Sequence, residues 1–267
     1  MPLFEIAVLA IIQGITEFLP ISSSGHLRLG SELFGLSANT LILDVAVHVG
    51  TLFAVAVYFW RDLVFMIIGL FDNARGRKHE GGRLAGYLVL ATIPIIIAGF
   101  FAQDLIENHL RTLEIVGWTT IGFGILLYLA DRMGMTILKL EHLTISHTLV
   151  IGIAQVLALI PGTSRAGITI TAARFLGYDR TEAARFSMLM SIPAIAGAGL
   201  LIGLELIETG NSILTRDALI AAALSFLTAL VAIALFLRWL RFAGFGPFVI
   251  YRLALGALIL GWVYGAF

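Results

Sequence analysis

The chain has 267 residues, 59% hydrophobic and 13% charged, with a mean hydropathy of +0.99. Soluble domains are roughly 45–50% apolar and about 25% charged, so this composition excludes a soluble domain and points to an integral membrane protein. Its 17 Lys and Arg balance 17 Asp and Glu, so no nucleic-acid partner is expected. With no cysteine there is no disulfide framework, thiol nucleophile or thiolate metal site.

The first residues, MPLFEIAV, lack a basic n-region and lead into QGITEFLP rather than a small-residue cleavage site, so no secretory signal peptide is expected. A membrane-crossing helix needs about 20 mostly apolar residues. The region from Leu3 to Phe34 is apolar but broken midway by Pro, Gly and Ser, and reads as a helix-loop-helix that enters the membrane and returns. Spans follow at Leu41 to Trp60, Leu84 to Phe101 and Ile115 to Ala130; the polar, basic stretch Phe71 to Gly82 reads as a soluble loop that serves as a cytoplasmic anchor. A second broken region, Ile145 to Leu176, precedes spans at Ala184 to Leu204, Ala218 to Leu240 and Phe248 to Phe267. Such breaks are tolerated at membrane depth only where they are buried in protein or line a watery cavity. The fold class is therefore an all-α polytopic membrane protein with six transmembrane helices and two re-entrant helix-loop-helix regions.

Cytoplasmic loops concentrate Lys and Arg. Arg61, Arg75, Arg77, Lys78 and Arg83 cluster between the first two spans, Arg132 and Lys139 follow the third, and Arg174, Arg180 and Arg185 precede the fourth. Arg238, Arg241 and Arg252 surround the last loop, whereas the alternate loops are mainly acidic. With this charge map the single membrane domain, 1–267, divides into inverted repeats at about 1–140 and 141–267, an architecture that places sites where broken helices meet. The clearest match between the halves is LPISSS at Leu19 to Ser24 against IPGTSR at Ile160 to Arg165. Trp60, Trp118, Trp239, Trp262 and Tyr264 fall near span ends, as an interfacial aromatic belt requires.

The chemistry sits in the two breaks. Gln13 and Glu17 are four apart and share a helix face, and Pro20 stops that helix. Ser22, Ser23 and Ser24 can cap the next helix, whose free N–H groups favour an anion. Gly25 allows close backbone approach, and His26 follows in the first turn. In the second break Pro161 and Gly162 interrupt the helix, Thr163 and Ser164 offer hydroxyls, and Arg165 presents a planar fork suited to phosphate or carboxylate. Thr169 and Thr171 extend the hydroxyl surface. Asp44 and His48, also four apart, fit either an extension of the polar cavity or helix packing.

The segment Gln13 to His26 resembles the E/Q-xxx-E motif followed by PxSSxGH, and Pro161 to Thr169 resembles PGxSRSxxT, of the undecaprenyl-diphosphate phosphatase family, also called bacitracin-resistance proteins. The stretches DVAVHVGTLFAV from Asp44, ATIPIIIAG from Ala91 and FSMLMSIPAI from Phe186 have the same look. Position 13 is Gln, which the motif allows and which removes one negative charge; position 166 is Ala where the family usually has Ser. The resemblance implies a metal-dependent hydrolase of the bacterial inner membrane that converts undecaprenyl diphosphate to the monophosphate on the periplasmic side, for reuse of the lipid carrier in wall synthesis. The implied catalytic residues are Glu17, Ser23, His26 and Arg165. Substrate contacts fall to Gln13, Ser22, Ser24, Gly25, Gly162, Thr163, Ser164 and Thr169. A divalent cation, Mg²⁺ or Ca²⁺, would take Glu17 and Gln13 as ligands, although Glu17 could serve as general base instead. Ser23, His26 and water all remain candidates for the nucleophile. The partners are then a polyprenyl diphosphate lipid and membrane lipids, and a homodimer is compatible with this class. A transporter or polyprenyl-phosphate flippase is the alternative, because inverted repeats suit alternating access.

Overall fold

The computed structural model describes residues 2–23, 25–27, 41–209 and 212–265, with the side chains of Leu41, Gln103, Glu107 and residues 197–214 outside that description. The helices are α1 (Leu3–Thr16), α2 (Leu41–Tyr58), α3 (Trp60–Ala74), α4 (Glu80–His109), α5 (Leu113–Met133), α6 (Ile145–Val156), α7 (Arg165–Phe175), α8 (Arg180–Thr209), α9 (Ser212–Leu240) and α10 (Gly246–Val263). No strand forms among the described residues, where a lone bridge joins Leu138 to Tyr178. The protein is an all-α polytopic membrane protein. Within α4, α5, α9 and α10 the described residues are long and apolar enough to cross a bilayer; α2 and α3, bent by 79°, form a further broken candidate.

The bundle turns apolar side chains outward, as hydrocarbon permits. Leu227, Val231 and Leu235 form an exposed stripe along α9, and Ile93, Ile96, Ile97 and Phe100 another along α4. Lipid tails are as apolar as these side chains, so helix association depends on close packing and buried hydrogen bonds. The α2–α9 contact uses both. A Cβ at Gly50 would lie 2.2 Å from the Ala222 carbonyl oxygen, and Ser225 Oγ donates to Val47 O at 2.9 Å.

Each short helix before a break packs on a long helix of the opposite half: α1 on α9, and α6 on α4. The pairs α2–α8 and α5–α10 also cross between the halves. The α5–α10 pair is antiparallel, because a Cβ at Gly117 would meet Leu260 and one at Gly124 would meet Arg252.

Three sequence expectations change. The stretch Phe71 to Gly82 is mostly helical: α3 runs to Ala74 and α4 starts at Glu80, so only residues 75–79 connect them. Residues 60–70 form most of α3, whose Met66 and Gly69 are buried while Ile67, Ile68, Leu70 and Phe71 stay exposed. Arg252 is no loop cation. It lies inside α10 and is fully buried.

Candidate active site

Both breaks are built alike. After α1, whose last turn reaches Glu17 through its N–H on Gln13 O at 3.0 Å, residues 17–21 turn and a helical turn begins at Ser23. After α6, a short 3-10 turn at Leu157–Leu159 leads to the bend before α7. Ser22 and Ser164 hold left-handed backbone, φ 71° and 69°, and no other described non-glycine residue does so. Ser22 Oγ accepts from Gly25 N at 3.3 Å, and Ser164 Oγ accepts from Gly167 N at 3.1 Å. Each serine therefore caps a helix start and tolerates a conformation that costs energy elsewhere. These features equate Ser22 with Ser164, one residue away from the LPISSS–IPGTSR match. In this register Gln13 equates with Gln155, and both are completely buried.

The two breaks meet at Glu17. Its Oε1 accepts from Arg165 Nη2 at 3.0 Å, while its Oε2 accepts from Gln13 Nε2 at 2.8 Å and from Ser23 Oγ at 3.3 Å. Arg165 Nη1 donates to Ser187 O at 3.2 Å on α8. The Glu17 and Arg165 side chains are 8% and 14% exposed, so their pairing offsets two charges that would each be costly alone. Opposite them His48 Nε2 approaches Glu17 Oε2 to 3.8 Å. Its Nδ1 lies 2.6 Å from Asp44 O and must donate there, because a carbonyl can only accept.

His26 occupies a separate flank. Its Nδ1 donates to Ser22 O at 2.7 Å, leaving Nε2 to accept from the Tyr251 hydroxyl at 2.5 Å, and the two ring planes are parallel within 1°. In this conformation Ser23 is hydrogen-bonded to Glu17 and not to His26. Thr169 Oγ1 bonds Arg165 O at 2.9 Å and Ser187 Oγ at 2.7 Å, and Thr171 bonds Gly167 O at 2.7 Å, so both are engaged within the scaffold. Thr163 is fully buried, and its Oγ1 has no hydrogen-bond partner among the described residues. Gly162, at φ +91°, has Thr119 Oγ1 where a Cβ would stand, 2.1 Å away. Ser24 lies outside the described residues.

Under the turns lies Arg252. Its Nε donates to Thr120 O at 3.0 Å, Nη1 to Pro20 O at 3.3 Å, and Nη2 to Gly162 O and Thr163 O at 3.0 Å each. Sequence reasoning missed Tyr251, Arg252 and Ser187 because each sits in an apolar helix with no local break. For His48 the four-residue spacing from Asp44 was the available signal.

A hard divalent cation fits this donor set. Gln13 Oε1 is buried with no hydrogen-bond partner among the described residues, and Glu17 supplies carboxylate oxygen beside it. No group of three or more His, Cys, Asp or Glu that could hold a metal occurs among the described residues. Such a cation would therefore take its other ligands from substrate and water, as Mg²⁺ commonly does.

A carboxylate, a hydroxyl and a guanidinium brought together by two broken helices define a polytopic membrane protein with a buried site suited to an anion. The family model described as Bacitracin resistance protein BacA matches residues 6–258, and the chain belongs to that family. It is 50% identical to undecaprenyl-diphosphatase 1 of Rhodospirillum rubrum, over 99% of this chain and 96% of that protein. It is 51% identical to the undecaprenyl-diphosphatase of Jannaschia sp., over 97% of this chain and 98% of that protein. The undecaprenyl-diphosphatase of Hahella chejuensis is also 51% identical, over 98% of each chain.

Proposed function

We infer that the protein is an undecaprenyl-diphosphate phosphatase, a hydrolase that releases inorganic phosphate and leaves undecaprenyl phosphate. One observation carries the site assignment: Glu17 joins Ser23 of the first break to Arg165 of the second. Full-length relatives named undecaprenyl-diphosphatase support the reading of that junction as the diphosphate site.

Arg165 has the planar fork that binds phosphate oxygens in pairs. In the resting arrangement Glu17 occupies one arm of it, and an incoming phosphate takes that place. Glu17 then keeps Ser23, whose hydroxyl it already accepts, and acts as the base that removes its proton. The Ser23 oxygen attacks the terminal phosphorus, the bond to the bridging oxygen breaks, and undecaprenyl phosphate leaves. Water next attacks the phosphoserine phosphorus, the bond to Ser23 Oγ breaks, Ser23 takes back the proton that Glu17 holds, and the hydrogens of the water leave with inorganic phosphate. The developing charge faces Arg165 in a site shielded from bulk water, where a preorganised cation stabilises it strongly. His26 flanks this chemistry with its tautomer fixed by Ser22 and Tyr251. A divalent cation, Mg²⁺ or Ca²⁺, would be held by Gln13 Oε1 and one oxygen of Glu17, the other oxygen of Glu17 serving Ser23, and would neutralise diphosphate oxygens.

The two halves, about 1–140 and 141–267, act as inverted repeats whose breaks form one site. The charge distribution supports an inner-membrane protein whose site opens to the periplasm, consistent with recycling the lipid carrier for wall synthesis and with bacitracin resistance. The deciding experiment measures phosphate release from undecaprenyl diphosphate by the purified wild type and Glu17→Ala, with and without chelator. Release that depends on Glu17 and is abolished by chelator is the expected result; wild type that releases none overturns the reading.

A further inference from the structure

Arg252 is a fully buried guanidinium with four backbone carbonyls as partners. Burying a charge is costly, and no carboxylate is among its bonded partners, so the carbonyl dipoles must offset that cost. Two of those carbonyls are related. Pro20 lies two residues before Ser22 and Gly162 two before Ser164, so the left-handed serines make them equivalent positions of the two breaks. Arg252 therefore stands where the two halves' equivalent carbonyls converge, binding one with Nη1 and the other with Nη2. Its third anchor, Thr120 O, fixes the fork to α5. Space is reserved for it: a Cβ at Gly124 would lie 3.2 Å from Arg252 Cβ, and one at Gly167 would lie 2.8 Å from Nη1.

We propose that Arg252 is the positioning residue of the phosphatase site, clamping the two breaks in the register that brings Ser23, Glu17 and Arg165 together while leaving a fixed positive charge beneath the diphosphate. The fork geometry sets the register, and the charge adds affinity for a polyanion. These contributions separate under substitution. Lysine keeps the charge but has no fork, and methionine has neither.

This inference rests on the phosphatase reading, so its test uses two readouts, only one of which needs substrate. Purified full-length wild type, Arg252→Lys and Arg252→Met are compared for kcat and KM on undecaprenyl diphosphate. Hydrogen exchange is followed in peptides covering residues 17–23 and 160–165. Misplacing catalytic groups by about an ångström costs on the order of 100-fold. Arg252→Lys is expected to lose about 10- to 100-fold in kcat with KM within about threefold of wild type. Arg252→Met is expected to show the same kcat loss with KM raised about tenfold or more. Both peptides should lose protection together in both variants. Gly167→Ala covers the case in which neither variant folds: it retains Arg252 and presses on Nη1, which holds Pro20 O, as well as on neighbouring Ser164, so the remote peptide 17–23 is its readout and should lose protection with a loss of kcat. Wild-type kcat in Arg252→Lys, or loosening confined to one turn, overturns the proposal. So does a Gly167→Ala protein that exchanges like wild type. If wild type itself releases no phosphate, the phosphatase reading fails while the exchange comparison still decides whether Arg252 holds both turns.

Discussion

Glu17 and Arg165, 148 positions apart in the chain, meet through a single 3.0 Å hydrogen-bonded ion pair that joins the two breaks. Because the pair works as a unit, Glu17→Gln and Arg165→Ala should each lower kcat/KM by about 100-fold or more, and the double variant should be little worse than either. Arg165→Ala also strands a buried carboxylate, so it should cost about 3–5 kcal/mol of stability, part of which the double variant regains. Phosphate-release kinetics and thermal unfolding check both. Near-normal activity in Arg165→Ala would remove that residue from the phosphate site.

Ser23 donates to Glu17 at 3.3 Å. If Ser23 is the nucleophile, Ser23→Ala should lose about 1,000-fold or more in kcat. Rapid acid quench of the wild type should trap phosphate on the peptide containing Ser23. Trapping it on His26, or failing to trap any while turnover persists in Ser23→Ala, would transfer the attack to histidine or water.

Tyr251 holds His26 Nε2 at 2.5 Å. Tyr251→Phe deletes that hydroxyl and keeps the ring stacking. A lost hydrogen bond of about 1.4 kcal/mol corresponds to about a tenfold drop in kcat, measured with KM in the same assay. An unchanged kcat would mean that the orientation of His26 is set by Ser22 alone.

Gly162 combines φ +91° with the hydroxyl of Thr119 standing 2.1 Å from where a Cβ would lie. Thr119 cannot easily yield, because Oγ1 is bonded to Pro161 O at 2.6 Å and Ile115 O at 2.8 Å. Gly162→Ala should therefore destabilise the protein by about 2 kcal/mol or more, read as a lower unfolding temperature in detergent. A wild-type melting curve would contradict the close packing at this turn.

Asp179, between α7 and α8, supplies a pH-dependent contribution. Burial works against its ionisation, but the Thr181 side chain, the Thr181 and Glu182 N–H groups and the Arg174 charge outweigh that, holding its carboxyl below the usual range. A depressed folded-state value stabilises above the unfolded value of about 4 and is lost as pH falls through the folded value. Asp179→Ala should thus cost about 1 kcal/mol at neutral pH, as loss of a helix cap does. The gap to wild type should close below about pH 4. Equal stabilities at pH 7 would refute the assignment.

Sequence by itself determined the membrane class, the two breaks and the polar residues they carry, because these depend on local facts. A long apolar helix is committed to hydrocarbon, Pro20 and Pro161 interrupt a helix wherever they fall, and a carboxylate or guanidinium at depth requires a partner. It could not determine which partner. The contact between Glu17 and Arg165, the one-residue register that equates Ser22 with Ser164, and the approach of His48 and Tyr251 were decided only when helices from opposite halves packed together. Arg252 is the sharpest case. In the chain it reads as one more cation near a loop; in the bundle its charge is enclosed by carbonyls from both breaks and α5. Those carbonyls lie 89 to 232 positions away in sequence, and a buried charge is made tolerable by where such distant dipoles converge.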